Sequence, residues 1–349
     1  MARKARIAII GAGWWAAVNH IPLLLKNPDC ELVGASRLGA AELAKLREAF
    51  PTIPVLTEDY RTLLAETKPD GVVVASPHVD HYEHSMAALE AGCHVLVEKP
   101  LTTTAADARD LVERARAAGR QIVVAYGWNF KPYTRDAHLL VQGGAIGRVE
   151  HVALQMASPL EDLMAGQPMV ETEGALFRPP PSTWADPKRA GGYGWGQLTH
   201  ALGLLFRVAD LEPAEVFAIT GLSPAGVDYY DAATVRFAGG ATASLSGAAT
   251  VPKHRGFQLD LRIFGSEGML LLDVERERLE VRRRDGNDTV IPMAAGDGAY
   301  SCEEPPALLV SLCLGREVVN DAPGEVGMRA ALVLEALYRS AASGRMERV

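Results

Sequence analysis

A chain of 349 residues is too long for one ordinary domain and fits two, each able to bury a core without disulfide or metal staples. Hydrophobic residues make up 48% and charged residues 22%, and the net charge of −8 comes without a basic block, which argues against nucleic-acid backbones and anionic lipid as partners. Cys30, Cys93, Cys302 and Cys313 form neither a C-x-x-C pair nor zinc spacing, so reduced thiols and a cytoplasmic protein are expected.

Residues 1–6 are basic and residues 7–17 apolar, which imitates a secretion signal. Gly11 and Gly13 interrupt the apolar stretch, and no small-residue cleavage site precedes Asn19-His20. The segment is therefore read as a first buried strand, 6–10, followed by a glycine turn that opens a helix near Trp14. No apolar run is long enough to cross a bilayer. Further strands are expected at 31–35, around Val55, and at 71–75, 94–97 and 121–125, with helices at 40–50, 58–66, 82–91 and 104–118 between them. Near-continuously apolar strands alternating with helices imply a parallel sheet covered on both faces, and six of them imply the doubly wound dinucleotide fold.

The pattern changes after Tyr126. A helix over 133–142 stops at Gly143-Gly144. Strands then follow at 148–156, 214–220, 231–237, 241–249, 258–264, 269–273, 278–283 and 289–291, with a hairpin around Gly239-Gly240. Helices are expected over 197–208 and 324–343, and the Pro- and Gly-rich stretch 161–192 reads as a long loop. The chain thus divides into an α/β doubly wound domain, 1–127, and an α+β domain with a mostly antiparallel open sheet, 128–349.

Gly11, Gly13 and Ala16 satisfy the G-x-G-x-x-G/A fingerprint, with Trp14 and Trp15 between them. The first Gly makes the tight turn, the second admits a pyrophosphate, and the small third residue lets the helix pack on the sheet. The second strand closes on Ser36-Arg37 instead of the Asp or Glu that would hold a ribose 2′-hydroxyl. A hydroxyl and a guanidinium suit a 2′-phosphate, so NADP is expected over NAD. Glu98-Lys99-Pro100 follows the fifth strand, where the ligand crevice of such a sheet lies. The spacing of His78, His81, His84 and His94 has no metal context, and no metal is expected.

The chain resembles the Gfo/Idh/MocA family, named from glucose–fructose oxidoreductase, inositol dehydrogenase and a rhizopine catabolism protein. The resemblance rests on the glycine fingerprint, on Ala75-Ser76-Pro77-His78 with His81, and on the run into Glu98-Lys99-Pro100. It continues through Asn129, the glycines from Gly144 to Gly147, and Phe264-Gly265-Ser266-Glu267-Gly268. It implies a nucleotide domain followed by an open-sheet domain with substrate and subunit contacts, hence a homodimer or homotetramer. It also implies cofactor contacts from Ser76, Pro77, His78, His81 and Glu98.

Members resembling inositol dehydrogenase use the lysine of Glu-Lys-Pro and a D-x-G-x-H pattern. Lys99 and His200 match the lysine and the histidine as catalytic and substrate-contacting residues. The aspartate does not match: Gly196 stands in its place, Leu198 replaces the pattern's glycine, and Gly203 replaces a later aspartate. Gln197 is a candidate for a neutral hydrogen bond near His200. Asn129, Lys131, Trp184 and Tyr193 are candidate substrate contacts, aromatic faces being suited to sugar and cyclitol rings. The expected activity is hydride transfer between a nicotinamide and a sugar, sugar derivative or cyclitol. A dehydrogenase of carboxylated cis-dihydrodiols is an alternative, with Lys131, Lys253 and Arg255 holding the carboxylate. A nucleotide-sensing regulator without turnover is an alternative of another class.

Overall fold

The computed structural model describes residues 3–349; Met1 and Ala2, which begin the basic stretch, lie outside the described residues. The first sheet comprises β1 Ala5–Ile10, β2 Cys30–Ser36, β3 Val55–Thr57, β4 Gly71–Val74, β5 His94–Val97 and β6 Ile122–Val124. Their order is β3-β2-β1-β4-β5-β6 and every pairing is parallel. This is the strand order expected of a doubly wound fold. All four residues of β4 are buried, as a strand covered on both faces requires. Two of the flanking helices begin at side-chain caps: Asp59 accepts from the Arg61 and Thr62 amides, and Thr104 from the Asp107 amide. Such caps contribute about 1 kcal/mol each.

Nine strands form the second sheet. They are β7 Val149–Ala157, β8 Pro213–Leu222, β9 Asp228–Phe237, β10 Thr242–Ala248, β11 Gln258–Gly265, β12 Gly268–Asp273, β13 Arg278–Arg283, β14 Thr289–Ile291 and β15 Glu347–Arg348. The order is β14-β13-β12-β11-β7-β10-β9-β8-β15, antiparallel except for β7 beside β10. The β9–β10 hairpin turns at Gly239-Gly240, with Gly240 at a φ of 89°. Helices Pro132–Gln142, Thr199–Val208 and Gly324–Ser343 pack against one face, and burial alternates along β9 and β10.

Three features differ from the expectation. Residues 161–192 carry short helical turns at Glu161–Met164, Val170–Thr172, Pro181–Trp184 and Pro187–Arg189. The helix of His200 opens with a wide π-helical turn, Gly194–Leu198. A helix not foreseen spans Glu304–Cys313; Pro305-Pro306 reads as a break, yet proline is tolerated in a first turn because its missing N–H is unpaired there anyway. That helix packs on the first sheet: a Cβ at Gly71 would lie 2.6 Å from Cys313 Sγ. All four thiols are free. Among the described residues no helix is long and apolar enough to cross a membrane.

Candidate active site

A cavity of about 1220 Å³ runs from the glycine turn after β1 to the start of the His200 helix. Gly11, Gly13, Trp14, Trp15, Ser36 and Arg37 line one end. Ser76, Pro77, His78, His81, Glu98 and Lys99 follow, and Trp184, Gln197 and His200 line the far end. Ala16 is wholly buried behind the turn and lets the helix seat on the sheet. Gly11 sits at a φ of 85°, and a Cβ there would lie 2.5 Å from the Ser76 nitrogen, so only glycine fits.

Three expected substrate contacts are not on the cavity wall. Asn129 is fully buried and its amide donates to the carbonyls of Gly203 and Asp321, at 3.0 and 3.4 Å, tying the crossover to two later segments. Tyr193 is fully buried and its hydroxyl meets the Ser158 hydroxyl at 2.9 Å. Lys131 precedes helix Pro132–Gln142 as its N-cap, off the lining. Spacing alone could not tell which polar residue of the crossover faces inward.

Lys99 is nearly buried, and its Nζ donates to the Gly196 carbonyl at 2.7 Å. Burial lowers its pKa to about 8 against the opposing charge of Glu98. The Trp184 ring lies 4.9 Å from Nζ. His200 is enclosed edge-on by Tyr126, Trp128 and Tyr300, and its Nδ1 is buried without a partner. Burial first, then the charge of Lys99, holds its pKa well below the usual imidazole range, so the ring is neutral at neutral pH. Gln197 lines the cavity but leaves His200 Nδ1 unpartnered, so the neutral bond expected of it is not made there.

Both departures from the aspartate pattern have a steric reason. A Cβ at Gly196 would meet Trp184 Cζ3 at 3.0 Å and Met164 Cε at 3.2 Å, so Trp184 occupies the place of a carboxylate. A Cβ at Gly203 would lie 2.7 Å from the Tyr126 ring, whose hydroxyl meets Thr199 Oγ1 at 2.8 Å.

Supporting residues hold the two ends together. Glu98 Oε1 lies 2.8 Å from His20 Nε2; burial pushes the Glu98 pKa up, but the His20 hydrogen bond and nearby charges bring it below its usual value. His81 has the Pro100 carbonyl 2.7 Å from Nδ1 and the Ser76 carbonyl 2.9 Å from Nε2, which fixes the loop after β4 to the Lys99 segment. Burial lowers its pKa. Burial likewise takes His78 to about 3, so its neutral Nδ1–H donates to the Ala190 carbonyl at 2.9 Å.

At the other end, Arg37 bonds the Ala12 carbonyl at 3.3 Å and Glu42 at 3.4 Å. Its guanidinium lies 3.8 Å from the Phe177 ring, which comes from the 161–192 segment of the second sheet's half. Phe177, like Trp128, Phe257 and Tyr300, was not singled out from the sequence. Single aromatics carry no spacing signal, and their place depends on contacts between distant segments. Among the described residues no group of three or more His, Cys, Asp or Glu could hold a metal ion.

Comparison with known proteins gives two family matches. A model described as an oxidoreductase family with an NAD-binding Rossmann fold matches residues 5–126, and one for the GFO/IDH/MocA C-terminal domain matches residues 134–271. A D-glucoside 3-dehydrogenase of Escherichia coli is 35% identical over 144 residues, 41% of each chain, so the match spans about two fifths of that relative. A 1-carboxy-3-chloro-3,4-dihydroxycyclohexa-1,5-diene dehydrogenase of Comamonas testosteroni is 26% identical, over 62% of this chain and 50% of the relative. Among solved structures, levoglucosan dehydrogenase in complex with NADH has the same fold, with a TM-score of 0.76 at 20% identity over 99% of both chains.

Proposed function

This chain belongs to the Gfo/Idh/MocA oxidoreductase family, and on that premise we propose that it transfers a hydride between a nicotinamide dinucleotide and a hydroxyl or keto carbon of a sugar, sugar derivative or cyclitol. The observation that carries this reading is one cavity joining the glycine turn to Lys99 and His200. Residues 1–127 bind the dinucleotide in this reading, and residues 128–349 supply substrate and subunit contacts. The residues present suit the dinucleotide. Bare backbone at Gly11 and Gly13 opens a helix, which suits a pyrophosphate. Ser36 and Arg37 suit NADP, with the Arg37 guanidinium held by Glu42 at 3.4 Å. When bound, the nicotinamide ring supplies the hydride acceptor or donor.

The chain manages one proton. In oxidation, neutral Lys99 keeps an N–H on the Gly196 carbonyl and takes the substrate's hydroxyl proton on its lone pair. His200 holds the same oxygen by a hydrogen bond. Its unpartnered Nδ1 leaves an imidazolium without support, which favours Lys99 over His200 as the proton acceptor. In reduction the Lys99 ammonium returns the proton. Four free thiols are consistent with a reducing cytoplasm.

The dihydrodiol reading is supported by the likeness to the Comamonas enzyme. Its expected carboxylate anchors weigh against it: Lys131 and Arg255 are off the cavity lining, and Lys253 pairs with Asp162 at 3.0 Å and Glu171 at 3.3 Å. The regulator reading is opposed by Lys99 and His200 standing together in one cavity with the glycine turn. The test is formation of reduced cofactor from NADP and NAD with aldoses, glycosides, inositols and a carboxylated cis-dihydrodiol. Cofactor binding without turnover of any of them in either direction would favour the regulator.

A further inference from the structure

Beyond His200 the cavity wall is aromatic. Trp128 stands edge-on to His200 at 5.7 Å between ring centroids, and Phe257 edge-on to Trp128 at 6.0 Å. Tyr300 closes the same wall, 4.9 Å from Trp128 and 5.2 Å from His200. Trp128 is buried whereas Phe257 is 39% exposed, so the row of rings leads from the proton-transfer site to the mouth. The polar atoms of this wall are already committed. Trp128 Nε1 donates to the Gly298 carbonyl at 3.0 Å. The Tyr300 hydroxyl donates to the Ala125 carbonyl at 2.8 Å and accepts from the Gly127 amide at 3.2 Å. Pro159, Leu160 and Leu163 also line the cavity.

An aldose or cyclitol carries a hydroxyl on nearly every ring carbon, and each one buried without a partner opposes binding. Lys99, Gln197 and His200 can serve the hydroxyls along one edge of one ring. Glu171, Arg178, Thr183 and Arg189 also line the cavity, but the Trp128–Phe257 wall itself has no free polar side-chain atom for a second polar ring, and it suits the face of a flat apolar group. We propose that the substrate is a glycoside whose sugar reaches Lys99, Gln197 and His200 and whose aglycone is a flat aromatic group lying along Trp128 and Phe257. This rests on the sugar oxidation proposed above and narrows it from sugars in general to aryl glycosides.

The experiment compares phenyl and methyl β-D-glucoside, by kcat/KM in the wild type and in Phe257→Ala and Phe257→Trp. Phe257 is partly exposed, so its loss leaves the core packed. The phenyl compound should lead by about tenfold or more, a margin on the scale of burying one aromatic ring. Phe257→Ala should collapse the lead, chiefly through KM, and Phe257→Trp should restore it. Turnover of both glucosides at equal efficiency, or a lead that Phe257→Ala leaves in place, would overturn the inference while the hydride-transfer reading stands. If neither glucoside is oxidised, the hydride-transfer reading is judged by the wider panel of aldoses, glycosides and inositols. Quenching of tryptophan fluorescence by phenyl glucoside then decides separately: saturable quenching lost in Phe257→Ala sustains the aromatic subsite, and its absence in the wild type overturns it.

Discussion

Lys99 carries its proton chemistry because it is buried, and that burial has a measurable consequence. A pKa of about 8 leaves the side chain mostly charged at neutral pH and neutral above it. Proton acceptance from a hydroxyl needs the neutral form, so kcat/KM for alcohol oxidation should rise with pH through about 8 and then level off, while ketone reduction should fall over the same range. Lys99→Met should lose both this dependence and about two to four decades of rate. His200→Ala should lower turnover strongly with cofactor binding retained; near-normal turnover would remove His200 from the mechanism. At the opposite end, Ser36→Asp and Arg37→Ala should each move the NADP-to-NAD ratio of kcat/KM toward NAD, by about tenfold or more for a charge-assisted bond. A wild type that prefers NAD, or a ratio that neither substitution moves, would show that this strand end does not read the ribose. The glycine turn and Lys99 were legible because they stand at fixed offsets from strands, whereas His200 came only from the resemblance to a pattern that the chain keeps in part; all of them line the cavity. Asn129, Lys131 and Tyr193 were not separable from true cavity residues, since burial and orientation there depend on segments remote in sequence. The same remoteness hid Trp128, Phe257, Tyr300 and the Phe177–Arg37 contact.

The element that presents His200 begins on a buried acid pair. Asp228 accepts from the Gly194 amide at 2.7 Å and from the Tyr338 hydroxyl at 2.9 Å. Asp231 lies buried on the same strand, its carboxyl facing that of Asp228. Burial first, then the charge of Asp228, pushes the Asp231 pKa well above the carboxylate range, so it stays protonated and can share that proton with Asp228. Its unfolded pKa is about 3.9. The folded state therefore holds a proton that the unfolded chain loses, and stability falls as pH rises from the unfolded pKa toward the folded one. Asp231→Asn keeps a donor toward Asp228 without this penalty. Its Tm should exceed the wild-type Tm by more at about pH 8 than at about pH 4; a constant difference would mean that Asp231 is not titrating. Helices with caps and strands with clean alternation were legible from periodicity and turn residues. The wide turn Gly194–Leu198 was not, because its shape comes from Asp228 and Tyr338 gripping two backbone amides rather than from its own sequence. Helix Glu304–Cys313 was hidden by the prolines that open it.

The two halves share their core contacts, and the second sheet leaves one face open. Helices Pro132–Gln142, Thr199–Val208 and Gly324–Ser343 take the inner face. Along the centre of the outer face stand Ala232 and Thr234 of β9, Ser244 and Ser246 of β10, and Gln155 of β7, all exposed. These short side chains give a flat surface that another sheet can approach closely, and exposed Ile219 on β8 and Phe264 on β11 add apolar area toward the edges. An antiparallel sheet can stand with one face in water, but a central strip that is flat and free of charged side chains suits contact with a second copy. The expected outcome is a homodimer, or a tetramer of such dimers, formed face to face through β7, β9 and β10 about a two-fold axis. A stable interface of this kind buries about 1,200–2,000 Å² in total. Light scattering coupled to size-exclusion chromatography at micromolar concentration should therefore give at least twice the chain mass. Ser246→Arg on β10 is the discriminating variant. In a two-fold interface each substitution enters twice, and near the axis the two guanidiniums would oppose each other across a desolvated strip. It should shift the protein toward monomer while leaving nucleotide binding in place, because the glycine turn lies on the other sheet. A wild-type monomer, or an oligomer indifferent to Ser246→Arg, would show that this face is not where copies meet.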